Sequence, residues 1–209
     1  MRVAALVNWG LGLELLRALT AHPKVQLCFV VGGCAAATDD PWRNVIWDYC
    51  RQHDIPFHKA KETTNEKLAS LVRQERLDLA VVHAWPAKLP REVYAAPIRG
   101  SLNFHASLLP RHRGRSPHLA ALASGDMTTG LTCHVMDDGF DTGPIVAQAS
   151  CEVIAGESPE ALVERIKTLA APLLMEVVIR ITTPGFEPKA QDPEQDETDG
   201  PHGGCEGGA

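Results

Sequence analysis

Residues Met1–His22 read MRVAALVNWGLGLELLRALTAH: a nearly unbroken apolar run, a break carrying two glycines, then a leucine-rich stretch. An apolar run of this length without alternation predicts a strand covered on both faces, as in a parallel sheet. The NWGLG break turns the chain, and leucines at 13, 16 and 19 recur at helical spacing. A buried strand followed by a helix that packs back on it is the opening of a βαβ unit.

The theme repeats downstream. VQLCFVVGG at 25–33 predicts a second buried strand, and 41–53 (PWRNVIWDYCRQH) a helix with Pro41 in its first turn. Thr64 to Arg76 predicts another helix, and LDLAVVHAW at 77–85 another strand. After RGSLNFH the texture changes. Ser116 to Ser124 predicts a short helix, GDMTTG at 125–130 a turn, and LTCHVMD at 131–137 a half-exposed strand. GPIVAQASCEV at 143–153 predicts a further strand. Ser158 and Pro159 then open a helix with an apolar face at 162, 166, 169 and 173 and a kink at Pro172. The expectation is one Rossmann-like α/β domain over 1–183, with a mixed, mostly parallel sheet and flanking helices. An acidic, Gly/Pro-rich, disordered tail is expected at 184–209.

Composition narrows the function classes. Of 209 residues, 44% are hydrophobic and 22% charged, which is globular. The net charge of −6 sits in the tail: from Glu187 onward seven acids face the single base Lys189, leaving 19 acids and 19 bases elsewhere. A neutral body has no broad basic face, so no nucleic-acid partner is expected. Six cysteines without paired spacing predict reduced thiols. With no signal segment and no apolar run of membrane length, a cytoplasmic protein without a membrane partner is expected. A homodimer stays open.

Candidate chemistry lies in SLNFHASLLPRHRGRSP, Ser101 to Pro117. Alternate residues of a strand share a face, so Asn103 and His105 project together while Phe104 turns into packing. At the end of a sheet strand they would face the crevice where open α/β sheets bind ligands. In MDDGFDTGPI, Asp141 lies between Gly139 and Gly143, a frame that permits a tight loop. A metal site joining these residues to His83 or His134 is the alternative, but no HxH or HxxxH spacing supports it, and no metal is expected. The loop with Asn8, Gly10 and Gly12 has two readings. Either it is a tight turn that lets helix approach sheet, or a ligand lies against its backbone. The third small residue of a dinucleotide fingerprint is missing at Leu15.

SLNFHASLLPRHRG followed by GDMTTGLTCHVMDDGFDTGPI resembles the core of the folate-dependent formyltransferases. That group includes phosphoribosylglycinamide, methionyl-tRNA and sugar N-formyltransferases. The resemblance runs from residue 1 to about residue 182, weakly before Asp78 and strongly to Gln148. It implies an N-formyltransferase with Asn103, His105 and Asp141 as catalytic residues and 10-formyltetrahydrofolate as formyl donor. It places the donor's pterin against Trp85, Lys88 and Leu89, and against Val135, Asp137, Asp138, Gly139 and Phe140. Attack by a neutral amine would build negative charge on the formyl oxygen. Asn103 and a protonated His105 would face that charge, each donor typically worth ~3 kcal/mol. Asp141 would raise the His105 pKa by charge pairing and help move the amine proton. Turnover should then fall at alkaline pH as His105 loses its proton.

NWGLGLE departs from the Gly-Ser-Gly-x-Asn phosphate loop of the phosphoribosylglycinamide enzymes, and no basic C-terminal domain is expected for tRNA. A small amine acceptor is therefore expected: an amino sugar, free or nucleotide-linked, or an amino-acid amine. Its binding residues would come from Asn8, Gly10, Gly12, Arg111, Arg113 and Arg115. The three arginines are either a solvated loop or a clamp for an acceptor anion. Phosphoribosylglycinamide formyltransferase and 10-formyltetrahydrofolate hydrolase are the alternatives; a non-catalytic folate binder would lack the trio.

Overall fold

The computed structural model describes residues 1–33 and 42–192. Along the chain run β1 (Arg2–Val7), α1 (Trp9–Ala21), β2 (Gln26–Gly32), α2 (Trp42–Gln52) and β3 (Phe57–Lys59). Next come α3 (Asn65–Gln74), β4 (Leu79–His83), α4 (Arg91–Tyr94), β5 (Ser101–His105) and α5 (Pro117–Ala123). β6 (Thr128–Val135), β7 (Ile145–Glu152), α6 (Pro159–Lys167) and α7 (Ala170–Thr182) complete the order. One sheet is ordered β3-β2-β1-β4-β5-β6-β7. Its first five strands pair in parallel, and β6 and β7 join antiparallel. This is the mixed, mostly parallel Rossmann-like sheet that the strand–helix alternation predicts.

The period of two divides the core. Val3, Ala5 and Val7 of β1 pack with Leu13, Leu16 and Leu19 of α1 and with Leu173 and Val177 of α7. Ala4 and Leu6 face the other way, onto Leu68 and Val72 of α3 and Val93 of α4. Covered by helices on both sides, Val3 to Val7 are each 0% exposed, which is why this strand reads as a continuous apolar run. Two helix starts follow the capping rule. Thr64 Oγ1 accepts the Lys67 N–H at 3.3 Å, and Ser158 Oγ accepts the Ala161 N–H at 3.2 Å.

Three local expectations change, and one strand enters that the sequence does not predict. β3 is a three-residue edge strand, too short to show a period. β6 begins at Thr128, so the last three residues of the expected turn belong to the strand. The expected kinked helix is two helices, broken at Thr168 and Leu169, with Pro172 in the first turn of α7, where it costs no hydrogen bond. Finally, residues 184–192 of the expected tail run along the domain. Lys189 pairs antiparallel with Ile145 through hydrogen bonds of 2.7 and 2.8 Å. Pro41, Cys34, Cys205 and the rest of the expected tail, 193–209, lie outside the described residues. Cys28, Cys50, Cys133 and Cys151 are free thiols. Among the described residues no helix is long and apolar enough to cross a membrane.

Candidate active site

Phe104 is 1% exposed and enters the core, which turns Asn103 and His105 to the opposite face at the end of β5. The loop from β6 to β7 brings Asp141 to them. Its first turn is closed by Asp137 Oδ1, which accepts the Gly139 N–H at 3.0 Å and the Thr142 hydroxyl at 2.7 Å. A Cβ at Gly139 would collide with that hydroxyl, and one at Gly143 with the Val135 carbonyl oxygen. The two glycines therefore let the loop fold tightly on itself. Asp141 adopts the left-handed region, φ 55°, and its carboxylate is 14% exposed.

That carboxylate gathers the site. Oδ1 accepts from Asn103 Nδ2 at 2.9 Å and lies 3.3 Å from His134 Nε2. Oδ2 accepts the Gly114 N–H at 3.0 Å and lies 3.4 Å from His105 Nδ1. Burial alone would raise the Asp141 carboxyl, but His134, His105 and the Gly114 N–H outweigh it and hold it down at about 2.

Carbonyl acceptors fix the imidazole protons. His105 Nε2 faces the His112 carbonyl at 2.8 Å, so Nε2 carries the hydrogen. His134 Nδ1 faces the Val135 carbonyl at 3.0 Å, and its Nε2 lies 3.1 Å from Asn103 Nδ2 and 3.3 Å from Asp141 Oδ1. The pKa of His105 lies below the usual histidine value: burial lowers it more than Asp141 and the His112 carbonyl raise it. Burial thus opposes the protonated ring that the resemblance implies, while Asp141 and the His112 carbonyl favour it. Its Nδ1 nevertheless faces the ionised carboxylate. A proton arriving at Nδ1 converts that contact into a charge-assisted hydrogen bond.

Sequence reasoning brings Asn103, His105 and Asp141 together, and so does the fold. It names His134 only as a possible metal ligand; the register opposite Asn103 brings it to the Asp141 carboxylate. It misses a second layer behind His105: His112 Nε2 lies 2.7 Å from Asp126 Oδ2, and Arg111 pairs with Asp126 Oδ1 at 2.7 Å. His83 donates Nδ1–H to the Phe104 carbonyl at 2.8 Å, and burial pushes it down to about 4. Among the described residues no group of three or more His, Cys, Asp or Glu is arranged to hold a metal ion.

The residues expected around a pterin divide. Val135, Asp137 and Asp138 line a cavity of about 350 Å³, together with Tyr94, Ile98 and Met136. Leu89 is buried in the second core and Trp85 packs against it, so neither lines that cavity. Lys88 donates Nζ–H to the Asp138 carbonyl and lies 5.8 Å from the centre of the exposed Phe140 ring. Tyr94 donates its hydroxyl to Asp138 Oδ1 at 2.6 Å.

The residues expected around an acceptor divide more sharply. Asn8 is 1% exposed; its Oδ1 accepts the Gly33 N–H and its Nδ2 donates to the Ala84 carbonyl, both at 3.1 Å. It ties the ends of β1, β2 and β4 together. A Cβ on Gly10 would lie 3.0 Å from the Trp42 ring, and one on Gly12 3.0 Å from Val7, so both glycines serve helix packing. Asn8→Ala strands one buried N–H and one carbonyl and should cost about 3 kcal/mol of stability. Urea denaturation checks this; an unchanged midpoint would contradict the role. Arg111 is held by Asp126, and Arg113 by Gln191 at 2.8 Å. Arg115 is exposed and makes no hydrogen bond or ion pair among the described residues.

A family model described as formyl transferase matches residues 30–178. The methionyl-tRNA formyltransferase of Trichlorobacter lovleyi is 35% identical over 144 residues, covering 69% of this chain and 46% of that protein. Its counterpart from Thermodesulfovibrio yellowstonii is 31% identical over 140 residues, covering 67% and 46%. At 46%, the chain spans about half the length of these curated relatives. The phosphoribosylglycinamide formyltransferase of Anaplasma phagocytophilum superposes with a TM-score of 0.72 at 26% identity, over 87% of this chain and 86% of that one. Glycinamide ribonucleotide transformylase 1 of Symbiobacterium toebii shares the fold, with a TM-score of 0.75 at 20% identity over 92% and 94%. The matched residues 30–178 include β5, β6 and the Asp141 loop, and the chain belongs to the formyl transferase family.

Proposed function

We propose that this chain transfers a formyl group from 10-formyltetrahydrofolate to the free amine of a small acceptor. The observation that carries the reading is the Asp141 carboxylate gathering Asn103, Gly114, His105 and His134 at the end of β5. A proton-accepting imidazole beside an ionised carboxylate suits amine acylation, in which a proton must leave the attacking nitrogen.

The folate supplies an electrophilic formyl carbon whose oxygen gains negative charge when an amine attacks. The cavity beside Asp137 and Asp138 suits its flat, polar-edged pterin: Ile98, Val135 and Met136 offer apolar walls and the Asp137–Asp138 loop offers polar groups. Asn103 Nδ2 can redirect one proton from His134 Nε2 to the charged oxygen, a donor worth ~3 kcal/mol in such sites. His105 Nδ1 would take the proton released by the amine and return it to the folate nitrogen as the bond from that nitrogen to the formyl carbon breaks, leaving tetrahydrofolate. Asp141 stays ionised and stabilises the imidazolium, acting through charge more than as the base itself.

The acceptor is an amino sugar, free or nucleotide-linked, or an amino-acid amine. Asn8, Gly10 and Gly12 have roles in the fold, so none of the three is free to offer a side chain to a ribonucleotide phosphate. Arg115, exposed on the loop beside Gly114, is the residue we assign to an acceptor anion. The 35% identity to a methionyl-tRNA formyltransferase favours a second reading, an aminoacyl amine on tRNA. An acceptor panel with labelled formyl donor separates them. Small amino sugars or amino acids should be formylated with saturation, and phosphoribosylglycinamide and charged initiator tRNA should not. Efficient formylation of either of the last two would overturn the acceptor assignment.

A further inference from the structure

We propose that Gln191 is a positioning residue for Asp141, and that the segment reaching it works as a strap across the candidate site. The proposal rests on the catalytic reading of Asp141. Gln191 Nε2 donates to the carbonyls of Asp141 and Gly143, both at 2.8 Å. Its Oε1 accepts from Arg113 Nε at 3.2 Å and from Arg113 Nη2 at 2.8 Å. Both amide protons and both carbonyl lone pairs are thus engaged. Two residues earlier, Lys189 is fixed to Ile145, the first residue of β7, by the paired bonds of 2.7 and 2.8 Å.

These bonds meet a specific demand of the loop. Asp141 holds a left-handed backbone at φ 55°, a conformation that non-glycine residues keep only when their surroundings impose it. The direction of its carbonyl is set by its own ψ, so a donor locked on that oxygen holds the backbone that aims the carboxylate. Arg113 closes the other side. It lies next to Gly114, whose N–H binds the Asp141 carboxylate at 3.0 Å. Gln191 therefore cross-links the two loops that meet at Asp141, from a segment outside the strand-and-helix frame.

Two full-length variants test this. Gln191→Glu keeps the shape and the acceptor for Arg113 but has no proton for either carbonyl; Gln191→Ala loses both arms. Hydrogen exchange of the Gly114 amide reads the docking of Asp141 without reference to activity. In both variants that amide should exchange about tenfold faster or more, as expected for a locally opened loop. The turnover number should fall about tenfold to hundredfold, the scale of a small misplacement of a reacting group, with the KM for formyl-folate within a few-fold. Unchanged Gly114 protection would overturn the strap. So would normal turnover in Gln191→Glu, which would leave the Arg113 contact as the only one that matters, or an activity loss that merely follows a lower Tm. If the unmodified protein transfers no formyl group, the proposed function fails, and Gly114 exchange alone still decides for or against the strap.

Discussion

Asp141→Asn is expected to lower formyl-transfer turnover by about a thousandfold, within the range of effects seen for groups that manage a proton in the transition state. The substitution keeps the side chain's size and leaves an oxygen for the Gly114 N–H. It removes the negative charge that faces His105 Nδ1 at 3.4 Å and His134 Nε2 at 3.3 Å. Without that charge the imidazolium form of His105 lies in a buried site with no counterion, which low-dielectric surroundings penalise strongly. Binding of formyl-folate should change far less, because the charge acts when the proton moves. Asp141→Ala should lose at least as much. Because the carboxyl is held at about 2, its charge persists through the whole neutral range, so the acid limb of turnover cannot be assigned to it. Near-normal turnover in Asp141→Asn would reduce this acid to a loop residue.

His105→Ala should lower turnover by about a hundredfold to ten-thousandfold with donor binding largely kept. The pH profile distinguishes the role of the ring. If a protonated His105 were required, turnover would decline with rising pH as the ring lost its proton. Burial instead pulls its pKa below the usual value, which favours the neutral ring in the folded protein. A neutral ring accepts the amine's proton, and the amine must itself be unprotonated. Turnover should therefore rise with pH and then level, without an alkaline decline arising from His105. Steady-state kinetics across pH checks this, and a decline that disappears in His105→Ala would restore the protonated role.

Much of the site was legible because its parts are local. Asn103 and His105 share a face by strand period, and the glycines at 139 and 143 announce a tight loop around Asp141. What escaped depends on register and long-range placement. His134 becomes a neighbour only through its pairing with Asn103, and Gln191 through a chain return 50 residues after Asp141. The His105 protonation state escaped because a charge pair is visible in sequence while depth of burial is not. In the fold, long apolar strands were plain, but β3 has three residues and no measurable period. The glycines at 10 and 12 looked alike for two roles until the Trp42 ring and Val7 filled the space above them.

The most direct test follows the carbon itself. The protein is incubated with 10-formyltetrahydrofolate labelled in the formyl carbon, with and without a small amine acceptor, alongside Asp141→Asn. The account predicts label in an N-formyl product, donor consumption that requires the amine, and loss of both in Asp141→Asn. Label released as formate at the same rate without any amine would contradict it and make water the acceptor.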